Sequence, residues 1–145
     1  MRAVLAFLAA LALLAGCGGS TDQAASYKQD VRNAGNQFKA SLAKTGTQVQ
    51  SGTSLKGRVP ALASFKASVD RFASDLSKLD APASLKKLND QAVRQLRTLS
   101  SDLSAFEAAA KVGDNTRAQR LVPTLQADQA VLQKTLDELE RQVNR

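Results

Sequence analysis

Apolar and polar residues alternate along most of the chain with the three- and four-residue spacing of amphipathic helices. The pattern is most regular over residues 60–79, where the spacing continues without a gap. The apolar positions there are Leu62, Phe65, Val69, Phe72, Leu76 and Leu79. Pro60 suits the first turn of such a helix, because the N–H that proline lacks would have no helical partner there. The spacing therefore predicts a helix over 60–79 with one buried face.

Two longer helices are predicted downstream, over residues 82–112 and 114–143. Gly113 is suited to end the first of them, and Asp114 is suited to cap the second. The apolar stripes are Leu85, Leu88, Ala92, Leu96, Leu99, Leu103, Phe106 and Ala110 in the first, and Val122, Leu125, Leu132, Leu136, Leu139 and Val143 in the second. Because the connection between them is a short turn, we expect an antiparallel hairpin.

Two residues interrupt the pattern of the last helix. Pro123 removes the hydrogen bond to the carbonyl of Gln119, and it either bends the helix around the core, marks its true start, or opens a small cleft. Gln129 occupies a seam position, where a polar residue can set the register of packing or contact a ligand.

A first helix is predicted over residues 22–44, with a weaker stripe. Its apolar positions are Tyr27, Val31, Ala34, Phe38 and Leu42. Gly35 interrupts it at a cost of about 1 kcal/mol relative to alanine. Residues 45–59 contain three glycines among hydroxyl-bearing residues, which is typical of a mobile loop.

Four helices with one apolar stripe each are stable only when they bury those stripes together. We therefore predict an all-α domain over residues 22–145, an antiparallel four-helix bundle with up-down-up-down topology. Hydrophobic residues make up 43% of the chain but aromatic residues only 4%, so the core must consist mainly of Leu, Val and Ala. That composition favours helices over a sandwich or barrel.

The segment ahead of the helices has the plan of a secretory signal. Arg2 supplies a positive charge, residues 3–14 form an apolar run, and small residues follow. The run is too short to span a bilayer comfortably, since a transmembrane helix needs about 20 apolar residues. We therefore expect residues 1–16 to be a cleaved signal peptide.

Leu14, Ala15, Gly16 and Cys17 resemble the lipobox of bacterial lipoprotein precursors. The resemblance implies that the Cys17 thiol receives a diacylglyceryl group through a thioether and that a signal peptidase cuts just before it. Residues 17–21 would then be the lipidated cysteine and a flexible tether. Each methylene contributes about 0.8 kcal/mol on burial, so two acyl chains make a stable membrane anchor. The alternative is an incidental cysteine beside an ordinary signal-peptidase site.

The formal net charge of +7 is unevenly distributed. Residues 22–66 contain seven basic and two acidic residues, and the rest of the mature chain is nearly balanced. This basic part follows the anchor, so one interpretation is attraction to an anionic lipid or envelope polymer, and the other is an ordinary solvated helix face. The charges are spread out and no nucleic-acid motif is present, so we expect no nucleic-acid partner.

The sequence offers little for catalysis. It has no histidine, and its one cysteine is the lipid acceptor, which removes the commonest general base, transition-metal ligand and thiol nucleophile. Most acidic residues have basic partners at helical spacing and are expected to face solvent. We therefore predict no catalytic residue, metal site or cofactor. An enzyme would need a cleft with two inward carboxylates or a Ser–Lys pair in contact.

The overall plan resembles small uncharacterised lipoproteins of actinobacteria. The interhelix junction Leu79, Asp80, Ala81 and Pro82 is part of that resemblance, which implies a helical fold and an envelope location and brings no site residues. We predict a non-enzymatic lipoprotein on the extracytoplasmic side of the cell membrane that binds or scaffolds an envelope protein or an anionic surface. The alternative is a small-ligand carrier or sensor with an apolar cavity between helices.

Overall fold

A computed structural model describes the backbone of residues 22–51 and 54–144 and the side chains of residues 24–44 and 54–144. Within these ranges the chain forms four α-helices and one short 3₁₀ turn, with no strand. They are α1 (Asp22–Ser51), the 3₁₀ turn (Lys56–Arg58), α2 (Val59–Lys78), α3 (Ala83–Val112) and α4 (Asn115–Val143). The prediction of an all-α fold is confirmed.

The helices pack in chain order, so that α2 contacts α1 and α3, and α3 contacts α2 and α4. All four helices contribute to the main apolar core. Its members are Ala34, Phe38, Val69, Phe72, Ala73, Leu76, Ala92, Val93, Leu96, Leu99, Leu103, Leu132 and Leu136. The rings of Phe38 and Phe72 stack with their centroids 4.6 Å apart and join α1 to α2. Most of these residues belong to the predicted stripes, so burial of the stripes accounts for the packing.

The turn between α3 and α4 depends on two adjacent residues. Gly113 has a positive φ of 72°, a left-handed conformation in which a side chain would be strained. Asp114 then caps α4, because its side chain accepts a 2.9 Å hydrogen bond from the backbone N–H of Arg117. Together they reverse the chain within a few residues.

The structure differs from the prediction between the first two helices. Helix α1 continues to Ser51, beyond the predicted end at Lys44, so the prediction of a loop over 45–59 was wrong for residues 45–51. The 3₁₀ turn accounts for a further part of that range. A single glycine lowers helix stability by about 1 kcal/mol relative to alanine. Extending an existing helix needs no new nucleation, so a segment of low helix propensity can remain helical at its end.

A buried hydrogen-bond network ties three helices together near one end of the domain. The hydroxyl of Tyr27 donates to Oδ1 of Asn89 at 3.0 Å, and Nδ2 of Asn89 donates to the carbonyl of Leu76 at 3.1 Å. Leu85 and Leu139 pack around Tyr27. The start of α1, the end of α2, the start of α3 and the end of α4 therefore meet there, and we call this the closed end.

Candidate functional site

The predicted lipid-attachment site lies outside the described residues. This holds for the lipobox residues Leu14, Ala15, Gly16 and Cys17, and for the rest of the segment 1–21. None of the described helices is both long and apolar enough to cross a membrane. The described residues also include no group of three or more His, Cys, Asp or Glu that could hold a metal ion. The unusual polar chemistry of the described domain lies instead between helices and at the end opposite the closed end.

Two carboxyl groups meet where α3 packs against α4. Asp102 of α3 and Asp128 of α4 are within hydrogen-bonding reach of each other, and Oδ2 of Asp128 is buried without a hydrogen-bond partner. Burial, together with the hydrogen bond and the charge of Asp102, raises the pKa of Asp128 to about 6. Adjacent carboxylates repel when both are ionised, so the pair is suited to share one proton at mildly acidic pH.

No cation lies at helical spacing from this pair. The positions three and four residues away are occupied by Thr98, Leu99, Ala105 and Phe106 around Asp102, and by Thr124, Leu125, Val131 and Leu132 around Asp128. Gln95, two turns before Asp102 on α3, also has a buried side-chain oxygen without a partner. The expectation that acidic residues face solvent beside basic partners was wrong for Asp102 and Asp128. The expectation assumed one buried stripe per helix, whereas α3 packs against helices on two sides and so has less surface facing solvent.

On its other side α3 meets α2 through a carboxylate that is fully paired. Nζ of Lys66 lies 2.6 Å from Oδ2 of Asp70, and the hydroxyl of Ser100 donates to the other oxygen of Asp70. Burial alone would raise the pKa of Asp70, but the hydrogen bonds from Lys66 and Ser100 and the charge of Lys66 lower it overall. Asp70 is therefore held as a carboxylate in the folded protein.

The predicted irregularities of α4 have clear positions in the structure. Helix α4 runs without interruption through Pro123, so the interpretation that Pro123 marks the start of the helix was wrong. Pro123 is exposed and Gln129 is half-buried. A depression lined by Phe38, Ser41 and Phe72 lies elsewhere, between α1 and α2, and its volume of about 10 Å³ is enough for about one water molecule.

The end of the domain opposite the closed end is strongly basic. We define the basic end as the 3₁₀ turn, residues 107–120 and Lys44 of α1. It carries six basic residues against two acidic ones. The basic residues are Lys44, Lys56, Arg58, Lys111, Arg117 and Arg120, and the acidic ones are Glu107 and Asp114.

The closed end has no such excess. It carries seven basic and seven acidic residues over residues 24–32, 75–91 and 134–144. Several lie within one another's reach, as in the ion pairs Lys86–Asp90 at 3.5 Å and Arg141–Glu138. The positive charge of the described domain is therefore concentrated away from the closed end.

The chain matches no family model, no curated protein and no solved structure. The features that bear on function are therefore its own: the predicted lipobox, the carboxyl pair Asp102–Asp128 and the basic end. The carboxyl pair was not predicted as a site, whereas part of the basic end lies in the segment 22–66, for which contact with an anionic surface was one interpretation. Asp102 and Asp128 lack cations at helical spacing, but so do Asp30, Asp80 and Glu140, so this absence alone does not single out the pair.

Proposed function

We propose that the protein is a non-enzymatic lipoprotein anchored by a diacylglyceryl group on Cys17, with its helical domain on the extracytoplasmic side of the cell membrane. The domain would bind or scaffold another component of the cell envelope. The observation that carries this proposal is the order of Arg2, the apolar run 3–14 and the lipobox ending at Cys17. The resemblance to the actinobacterial lipoproteins agrees with it.

In this proposal the helices form an up-down-up-down bundle. Support comes from the closed end, where Tyr27, Leu76, Asn89 and Leu139 bring together alternating starts and ends of successive helices. Helix α1 begins five residues after Cys17, so its start and the closed end would face the membrane. The basic end would then point away from the anchor.

The proposal of a non-enzymatic role is supported by the kind of side chains present. The chain contains no histidine, and acylation of Cys17 would use its only thiol. The nearest approach to an acid–base pair is Asp102–Asp128, which lies between packed helices beside the buried Leu99 and Leu132. That position suits a contact between helices better than access by a substrate.

The anchor is tested by mass spectrometry of the mature amino terminus and by partitioning into a detergent phase. We expect Cys17 to be the first residue and to carry acyl chains, and the protein to enter the detergent phase. Cys17→Ala removes the thiol and should abolish both results, whereas Ser20→Ala, three residues later, should leave both unchanged. A mature terminus at another residue, or an unmodified Cys17, would contradict the proposal.

The binding role is tested by crosslinking in intact membranes, with the acylated wild type compared with the Cys17→Ala variant. We expect a specific crosslinked envelope component that depends on anchoring. Recovery of only abundant bystanders, in equal amounts from both proteins, would count against a binding or scaffolding role.

A further inference from the structure

Lys44, Lys56 and Arg58 of the basic end lie in a long stretch of sequence without negative charge. Residues 31–69 contain no aspartate or glutamate, and they contain six basic residues. Helical proteins commonly balance charges at i,i+4 spacing, as Glu107 and Lys111 do here at 2.7 Å. The stretch therefore has six positive charges and no negative one, and its last cation, Lys66, pairs with Asp70 just beyond it.

The register of the helices brings this segment beside further cations. Asp70 of α2 contacts Ser100 of α3, and Leu76 of α2 contacts Asn89 of α3, so earlier residues of α2 lie beside later residues of α3. The 3₁₀ turn immediately before α2 accordingly contacts both α3 and α1. Lys56 and Lys111 therefore lie at the same end, which the Gly113 turn continues into α4.

The cations of the basic end are presented to solvent. Lys56, Lys111, Arg117 and Arg120 are all exposed. The two acidic residues there already have partners, because Glu107 pairs with Lys111 and Asp114 caps α4. The surface therefore keeps a positive potential that would attract an anion and raise its association rate.

From these observations we propose that the basic end binds a polyanionic polymer of the cell envelope, a chain that carries repeated phosphate or carboxylate groups. The envelope location of the polymer and the orientation of this surface rest on the proposed function. Helix α1 has 30 residues, which at 1.5 Å per residue places its two ends about 45 Å apart. An anchor at Cys17 would then hold the basic end that far from the membrane.

The observations favour a polymer over a lipid surface. The cations come from α1, the 3₁₀ turn, α3 and α4, so they surround one end of the domain and do not form the polar face of a single membrane-lying helix. Of the described large apolar residues only Val112 and Val131 are exposed, and neither is aromatic. Proteins that rest in the headgroup region usually present Trp or Tyr there.

The experiment measures binding of the full-length acylated protein, in detergent, to fluorescently labelled long-chain polyphosphate across a range of salt. The test variant carries Lys56→Gln, Arg117→Gln and Arg120→Gln. We expect the affinity to fall by at least about tenfold at low salt, since each Lys or Arg beside an anionic surface contributes roughly fivefold. The slope of log affinity against log salt should decrease by about 2, or about 0.7 for each lost phosphate contact.

The matched control removes the same charge from the closed end through Lys78→Gln, Lys87→Gln and Lys134→Gln. These lysines are also exposed, and none belongs to an ion pair described above. At about 0.1 M salt their loss should change the affinity by less than about twofold, because charges farther from the polymer than the Debye length, about 10 Å at that salt, are screened. Circular dichroism checks that both variants are folded. If the triple test variant does not fold, the double variant Arg117→Gln, Arg120→Gln is measured in its place.

Three results would overturn the proposal: equal weakening in both variants, binding that does not respond to salt, or binding of the unacylated Cys17→Ala protein to phosphatidylglycerol vesicles without binding to polyphosphate. The last result would assign the basic end to a lipid surface. The mass of Cys17 in the same preparations reports the anchor separately. If the protein binds polyphosphate but carries no acyl chains, the proposed anchor is wrong and the binding surface stands. If it carries acyl chains but does not bind polyphosphate, the anchor stands and the binding surface is wrong.

Discussion

Helix α3 meets its two neighbours through carboxylates in opposite states. Toward α2, Asp70 receives hydrogen bonds from Lys66 and Ser100, which lower its pKa overall. Toward α4, Asp102 and Asp128 face each other, and the pKa of Asp128 rises to about 6. The first contact thus favours the ionised carboxyl group and the second favours the protonated one, because the partners differ.

This difference follows the burial of α4. Its second half contributes Leu132, Thr135, Leu136 and Leu139 to the interior, whereas Ala118 is the only buried residue of its first half. The carboxyl pair lies where burial gives way to exposure. The first half of α4, which carries part of the basic end, is therefore the part of the domain that we expect to respond most to pH.

The largest effect is expected on the α2 side of α3, at Asn89. Asn89 is 3% exposed and bonds to both Tyr27 and Leu76. We expect Asn89→Ala to lower the free energy of unfolding by about 2–4 kcal/mol, because it leaves a cavity and a buried hydroxyl without its partner. Urea unfolding followed by circular dichroism measures this.

The matched control lies on the α4 side of the same helix. Gln91 donates a 3.2 Å hydrogen bond to Thr135 and is only half-buried, so Gln91→Ala should cost about 1 kcal/mol or less. Equal losses from Asn89→Ala and Gln91→Ala would show that the two sides of α3 do not differ in the way described.

The second effect is expected at Asp70. Asp70→Asn should lower the free energy of unfolding by about 1 kcal/mol at neutral pH, a modest value because 47% of this side chain is exposed. The folded pKa is lowered, so the contribution of Asp70 is present above the unfolded value of 3.8 and lost as the pH falls through the folded value. Unfolding curves at several pH values measure it.

Asp75→Asn removes a charge from the same helix and serves as the control. Asp75→Asn should change the free energy of unfolding by only a few tenths of a kcal/mol at each pH at which Asp70→Asn is measured. An acid-dependent loss of the same size in both variants would mean that net charge, and not the contact with Lys66 and Ser100, sets the pH response.

The third effect has the opposite sign. The pKa of Asp128 is raised in the folded state, so its contribution is fully present below the unfolded value of 3.8 and is lost as the pH rises through about 6. Asp128→Asn should therefore stabilise the protein at pH 7 by about 1 kcal/mol or less, after allowance for partial exposure, and have little effect at pH 4.

Asp102→Asn should give a smaller gain, because it removes the repulsion but leaves Asp128 buried, and burial is the largest cause of the raised pKa of Asp128. The double variant should add little to Asp128→Asn, since the two side chains interact. Additive gains would show that Asp102 does not act on Asp128.

The periodicity of apolar residues predicts much of the fold, but it does not predict which side chains meet across the contacts between helices. The stripes of α2 and α3 follow from the spacing of their apolar residues. Val69, Leu76 and Leu96 are buried, whereas Leu62, Phe65, Leu79, Leu88 and Phe106 are half-buried. The polar residue Asn89 shares that buried face, yet polarity alone predicts exposure. Which group it meets depends on the register between helices, which a single sequence does not specify.

The smallest effect is expected at Gly35, and it calibrates the others. A Cβ added to Gly35 would meet no atom within 4 Å, so Gly35→Ala should stabilise α1 by about 0.5–1 kcal/mol through the lower entropy of the unfolded chain. No titratable group is changed, so the gain should be equal at pH 4 and pH 7. Gly113→Ala, at a φ of 72°, should instead destabilise by about 1 kcal/mol. A pH-dependent gain at Gly35 would show that stability at α1 is coupled to the carboxyl groups of α3, and that the two sides of α3 are not independent.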